Sequence, residues 1–287
     1  MKLQYPNVYI IDQAPGIQGI YEAICQAAAT CYQAVPKSGE GAKAFVNTLI
    51  KNGHTAMLEF GTVYYTIPCK TLQQDDELIS WAKEWEGSSY VDYDCDGVNY
   101  YITTNLRYAI ESGFWADNMM QYITEPTDCH PKRHTALFTA SIGTCREFTR
   151  HRVFSFAQES TRYCNYSRDK FEQNIAFIIP SWSTGLKPDK YVYGNWELSK
   201  RESVLLGSCY SAETSYFAMI ADGASPQEAR ECLPLATKSS LCMCGLDKDW
   251  THFFDLRMRE TTGKAHPDAK FIATKLWRQF KERGIEL

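Results

Sequence analysis

Apolar positions along the chain recur with two different periods. Over 20–31 the run IYEAICQAAATC carries a helical repeat, and Ala27, Ala28 and Ala29 favour helix. A second helix is expected over 41–52, where Ala42, Phe45, Leu49 and Ile50 fall near one face and Gly53 stops it. Residues 58–67, rich in aromatic and β-branched side chains, read as a strand. From 69 to about 132 the pattern weakens. Acidic residues (Asp75, Asp76, Glu77), four tyrosines (Tyr90, Tyr93, Tyr100, Tyr101) and Gly/Pro punctuation break it up, with a short helix near 105–112. This stretch is too short to own a large core, so it reads as an insertion at about 70–130 on one body spanning 1–287. Next come a strand over 135–140, a helix over 141–148 and a loop carrying 155–166. The C-terminal half reads as helical, beginning with a helix over 203–221 that ends at Gly223. Ser225, Pro226, Gln227 and Glu228 form a capping box with proline at the first helical position, and that helix ends before Pro234. The last helix, over 267–282, is expected to bury Ile272, Leu276, Trp277 and Phe280. The expected class is α/β.

Composition narrows the possibilities. With 44% hydrophobic and 22% charged residues the chain can bury a substantial core, and its net charge of −4 argues against a general nucleic-acid binder. No run of about 18 apolar residues marks a membrane span, and the opening MKLQYPNVYIIDQAPG lacks a stretch suited to a signal peptide. The expected location is cytoplasmic. Eleven cysteines are many for 287 residues. Their odd number argues against a disulfide framework, and Cys242-Met-Cys244 falls one residue short of a zinc-type pair. Most should be buried, reduced thiols, and no metal is called for.

The most informative segment is RHRVFSFAQESTR at 150–162. Arg150, His151 and Arg152 place up to three cations in a row, with Ser160 and Arg162 following after an apolar gap. Cations set among apolar residues need anionic partners where they are buried, and guanidinium forks match the paired oxygens of phosphate and carboxylate. A local basic cluster in an acidic chain suggests a small anionic ligand.

The full pattern, RHR, seven residues, then S-x-R-Y, closely resembles the signature of the flavin-dependent thymidylate synthases. Three more segments carry the resemblance: KNGHTAMLE at 51–59, EARECLPL at 228–235 and DWTHFFDLR at 249–257, the last followed by AHP at 265–267. The resemblance implies one α/β body with a mixed sheet and surrounding helices, assembled as a homotetramer with sites shared between subunits. It implies reductive methylation of dUMP to dTMP, with 5,10-methylenetetrahydrofolate giving the carbon and FAD, reduced by NADPH, giving the hydride. For dUMP it implies Glu147, Arg150, Gln158, Ser160, Arg162, Arg230 and Arg257; for FAD, His54, Thr55, Arg150, His151, Arg152, Gln158 and His252. Arg257 would activate uracil by stabilising charge spread over N3 and O4, so that no cysteine nucleophile is needed.

The residues depart from the pattern at Glu147, where some members carry Gln, and at Ala157-Gln158, where some carry Asn-Glu. Leu246, Asp247 and Lys248 keep only one cation where other members have a basic or polar trio on the adenine side of the flavin. Read without the resemblance, His54 is a helix-end residue, Arg230 an exposed helix arginine beside Glu231, and Arg257 a structural ion-pair partner of Glu260. A noncatalytic nucleotide- or RNA-binding module, with tyrosines as stacking platforms, is the alternative function.

Overall fold

The computed structural model describes residues 1–74, 88–190 and 197–287. The strands are β1 (Lys2–Gln4), β2 (Asn7–Ile11), β3 (Thr62–Pro68), β4 (Asp92–Cys95), β5 (Asn99–Asn105), β6 (Arg133–Ser141), β7 (Ser155–Gln158), β8 (Ala176–Ile178), β9 (Asp189–Lys190) and β10 (Lys238–Leu246). The α-helices are α1 (Gly16–Tyr32), α2 (Gly39–Lys51), α3 (Cys69–Gln74), α4 (Leu106–Glu111), α5 (Ile142–Phe148), α6 (Lys200–Ala221), α7 (Pro226–Ala229), α8 (Asp247–Phe254) and α9 (Pro267–Glu282). The acidic residues Asp75, Asp76 and Glu77 lie outside the described residues.

A central antiparallel sheet, in the order β2-β6-β10-β7, organises the molecule. Side chains alternate across a strand, and here both faces are covered. Leu241 and Met243 of β10 and Ala136 and Phe138 of β6 enter a core with Phe148, Trp250, Phe253, Phe254 and Phe280 from α5, α8 and α9. The opposite positions, Cys242 and Cys244, pack with Ala27 of α1, Phe60 and Ala157. Full burial of each aromatic ring on the first face contributes roughly 1.5–3 kcal/mol. A second antiparallel sheet, β3-β5-β4, shares a core with Ile20, Ile24 and Val46 of α1 and α2. The third, β8-β1-β9, is mixed: β1 runs parallel to β8 and antiparallel to β9.

Several sequence expectations change. Residues 155–158 are not loop but the edge strand β7. The C-terminal half is not simply helical, because β10 is an interior strand of the central sheet, paired with β6 on one side and β7 on the other. Of the strand expected over 58–67, the first part is a 3-10 turn, Thr55–Phe60, and only β3 is extended. Within 70–130, β5 pairs along the whole of β3, and Val91, Ile102, Leu106 and Phe114 join the core of α1 and α2. Trp277 is half-buried, since only Ile272, Leu276 and Phe280 of the expected set face fully inward. All eleven cysteines are free thiols, six of them buried.

Candidate active site

Helix α5 positions the site. Its N-cap, Ser141, accepts from the Thr144 amide (3.1 Å), and after only seven residues the chain turns tightly, with the His151 amide bonded to Phe148 O and the Phe154 amide to His151 O. That turn sends His151 inward, against Phe253 at 5.1 Å between ring centroids, and leaves Arg150 and Arg152 exposed on either side. The three consecutive cations of the sequence are therefore split by geometry. Burial, helped by nearby Arg257 and His252, lowers the pKa of His151 to about 4, so its imidazole is neutral near pH 7.

The neutral ring accepts a hydrogen bond. Arg257 Nε donates to His151 Nε2 at 2.9 Å, while Nη1 donates to Glu147 Oε2 at 3.1 Å and Nη2 to Glu147 O at 2.6 Å. Three of the five N–H groups of the guanidinium are thus used for positioning. Two remain, one on each terminal nitrogen, with no partner among the described residues. Arg257 lies on a π turn, Asp255–Arg259, that extends α8 and ends where the Glu260 amide bonds to Asp255 O. Glu260 is not its ion-pair partner: Glu260 pairs with Lys270 at 2.6 Å, and Arg257 pairs with Glu147.

On the other side of α5 opens a pocket of about 670 Å³. It gathers Gln158, Ser160 and Arg230 from the sequence-predicted set and adds Arg146, Thr161 and Ser239. Gln158 Nε2 donates to Ser239 Oγ (3.1 Å), and Arg230 approaches Thr161 Oγ1 (3.4 Å) and Glu231 (3.5 Å). Glu159, buried but also part of this lining, ties the end of β7 to β10. It accepts from Lys238 Nζ (2.7 Å), the Ser240 amide (3.0 Å) and the Tyr166 hydroxyl (3.3 Å). Burial and that carboxylate push the Tyr166 hydroxyl far above its ordinary range, so it stays a donor.

Other predicted residues lie apart. Arg162 is exposed beside Tyr163, with its guanidinium 5.4 Å from the ring centroid, and does not line the pocket. His252 is exposed, with its ring 6.2 Å from that of His151. His54 is also exposed, and its backbone closes α2: the Gly53 amide bonds to Ile50 O and the His54 amide to Leu49 O, with Gly53 at φ +68°. Thr55 begins the 3-10 turn beside it. Near the central sheet, Lys248 pairs with Asp92 at 2.9 Å, and Asp247 lies 2.8 Å from His134. Sequence reasoning missed Arg146, although a cation in the last turn of the helix expected over 141–148 was a signal available there.

The donor set fits an anionic cofactor. Arg150 and Arg152 present exposed guanidiniums with no carboxylate partner among the described residues, next to a buried neutral imidazole.

A family model described as thymidylate synthase complementing protein matches residues 119–283, more than half of the chain. The flavin-dependent thymidylate synthase of Pyrococcus abyssi is 25% identical over 211 residues, 72% of this chain and 72% of that protein. The flavin-dependent thymidylate synthase of Streptomyces coelicolor is 29% identical over 157 residues, covering 51% and 61% respectively. Among solved structures, the UMP/dUMP methylase PolB of Streptomyces cacaoi, bound with 5-Br dUMP, aligns with a TM-score of 0.44 at 16% identity, over 98% of this chain and 93% of that one.

Proposed function

We propose, since this chain belongs to the thymidylate synthase complementing protein family, that it is a flavin-dependent thymidylate synthase converting dUMP to dTMP. In this reading 5,10-methylenetetrahydrofolate donates the carbon unit and NADPH the electrons. The observation that carries the proposal is the pairing of a pocket whose wall converges Arg146, Arg230, Ser160 and Thr161, with Glu159 and Glu231 also on it, and an immobilised guanidinium at Arg257 held from the other side of the same short helix.

A nucleotide phosphate needs converging donors, and Ser160, Thr161, Arg230 and Arg146 supply them. Gln158, fixed by Ser239, offers an amide to the sugar or base. Arg257 retains two N–H groups in one plane, which suits two adjacent acceptors such as uracil N3 and O4. Uracil C5 becomes nucleophilic as negative charge spreads onto those atoms, and a fork held in advance by His151 and Glu147 stabilises it without reorganising. Neutral His151 acts as an acceptor that orients Arg257, not as a proton donor to it. The buried thiols are poor nucleophiles: burial pushes Cys145 up to about 12 and Cys242 well above the ordinary thiol range.

Bound FAD would supply the hydride for the reductive half of the reaction. Arg150, Arg152, His54, Thr55 and His252 would hold it, together with His151 and Gln158. Apart from Gln158, these groups, and Arg162, lie outside the pocket in one chain, which supports a homotetramer whose sites are completed by neighbouring subunits. A cytoplasmic location accords with the described helices, none of which is long and apolar enough to cross a membrane.

The test is direct. Purified protein should show the visible absorbance of bound flavin, oxidise NADPH faster when dUMP is present, and release dTMP when methylenetetrahydrofolate is added. Folded protein that neither binds flavin nor responds to dUMP would overturn the assignment.

A further inference from the structure

Two cysteines that the proposed chemistry leaves unused meet at one end of the β3-β5-β4 sheet. β3 and β4 lie on opposite sides of β5, so residues on them are ordinarily about 10 Å apart, twice the strand spacing. Here the chain leaves β3 at Pro68, opposite Asn99, and crosses the end of β5, where the Cys69 amide donates to Val98 O at 2.8 Å. From the other side, Cys95 ends β4 opposite Tyr100, and a tight turn returns the chain into β5. Asp96 fixes that turn: Oδ1 accepts from the Val98 and Asn99 amides (2.7 and 2.8 Å), and Oδ2 accepts from the Tyr101 hydroxyl (2.8 Å). Gly97 supplies the left-handed residue the turn needs, at φ +86°.

The result brings the two sulfurs to 3.6 Å, in van der Waals contact, with Cys95 exposed and Cys69 half-buried. A disulfide requires about 2.05 Å between sulfurs, so the two must approach by roughly 1.5 Å more. Cys129 is equally exposed, but no sulfur approaches it among the described residues.

We propose that Cys69 and Cys95 form a reversible dithiol–disulfide site whose oxidant is a low-molecular-weight disulfide. The exposed Cys95 thiolate attacks one sulfur of that disulfide, forming a mixed disulfide and expelling one small thiolate. Cys69, on losing its proton, then attacks Cys95 Sγ and expels the second. Two protein thiols lose two protons and two electrons, and one small disulfide becomes two thiols. Desolvation and the neighbouring sulfur raise the Cys69 thiol above its ordinary range, which suits the resolving partner and not the attacking one.

The experiment uses the full chain. The protein is incubated with oxidised glutathione, its remaining thiols are alkylated, and a non-reducing digest is read by mass spectrometry. The expected product is a cross-linked pair of peptides carrying Cys69 and Cys95, lighter by two hydrogens than the two thiols and reversed by dithiothreitol, while Cys129 carries only a glutathione adduct. Cys95→Ser and Cys95→Ala should each abolish the cross-link and leave dTMP formation unchanged. Alkylation of both cysteines as separate thiols, a stable glutathione adduct at Cys95 in the wild-type chain, or a cross-link to any other cysteine would overturn the proposal.

Discussion

Lowering the pH should destabilise this protein through one imidazole before its carboxylates matter. His151 titrates near 6.5 in an unfolded chain but is lowered to about 4 in the fold, by burial first and by the charges of Arg257 and His252 after it. Above pH 6.5 it is neutral in both states and its contribution is complete. As pH falls from 6.5 towards 4, the unfolded chain takes up a proton that the folded chain refuses, and stability drops. Across the whole window the loss is on the order of 3 kcal/mol, of which about 2 kcal/mol has gone by pH 5. The side chain is almost fully buried, so solvent screening does little to reduce this. His151→Gln is the matched variant, since its amide oxygen can still accept from Arg257 Nε but cannot titrate. Urea unfolding of flavin-free protein at pH 7.5 and pH 5 should show the wild type losing about 2 kcal/mol more than the variant. Parallel pH profiles would mean that the folded imidazole titrates normally, and the account of Arg257 positioning would fail with it.

Arg257→Ala should lower kcat at saturating dUMP by about 10²–10³-fold. Melting temperature should fall by only a few degrees, because its partner Glu147 is partly exposed and can regain water; the reverse pattern would make Arg257 purely structural. Arg146→Ala, on an exposed residue of the pocket wall, should raise KM for dUMP by about 10–100-fold with kcat and melting temperature held, as for loss of a hydrogen bond to a charged group. An unchanged KM would remove Arg146 from the site. Gly245→Ala would set a Cβ 2.6 Å from ring carbons of Phe154, so urea unfolding should register a loss of about 1–3 kcal/mol. No loss would show that the Phe154 ring yields freely.

What could be read in the sequence was set by local signals. The capping box at Ser225 and Glu228 and the glycine stop at Gly53 are chemistry between near neighbours, and both stand in the structure. β10 is different. Because it is buried on both faces, KSSLCMCGL shows no alternation of polar and apolar positions, and its cysteines drew attention to metal spacing instead of pairing. β7 is four residues long and becomes a strand only because β10 lies beside it. In the site, the family resemblance named Gln158, Ser160 and Arg230, which the structure brings to one pocket, but it could not show that Arg146 joins them, nor that His151 turns inward between two outward arginines. Nor could it pair Arg257 with Glu147, which is 110 residues away in the chain.

The π turn carrying Arg257 has a bearing on how this segment tolerates changes in length. Its wide winding accommodates one residue more than an α-helical turn, so the aromatic residues of α8 stay in the core while the guanidinium is carried round to His151 and Glu147. Deleting Leu256 would replace the wide winding by regular steps of about 100° per residue, which re-aims Arg257 within the turn while the residues beyond it keep their phase. Surface loops absorb insertions and deletions readily. This short stretch should not: its residue count, as much as its residue types, is what aims the arginine.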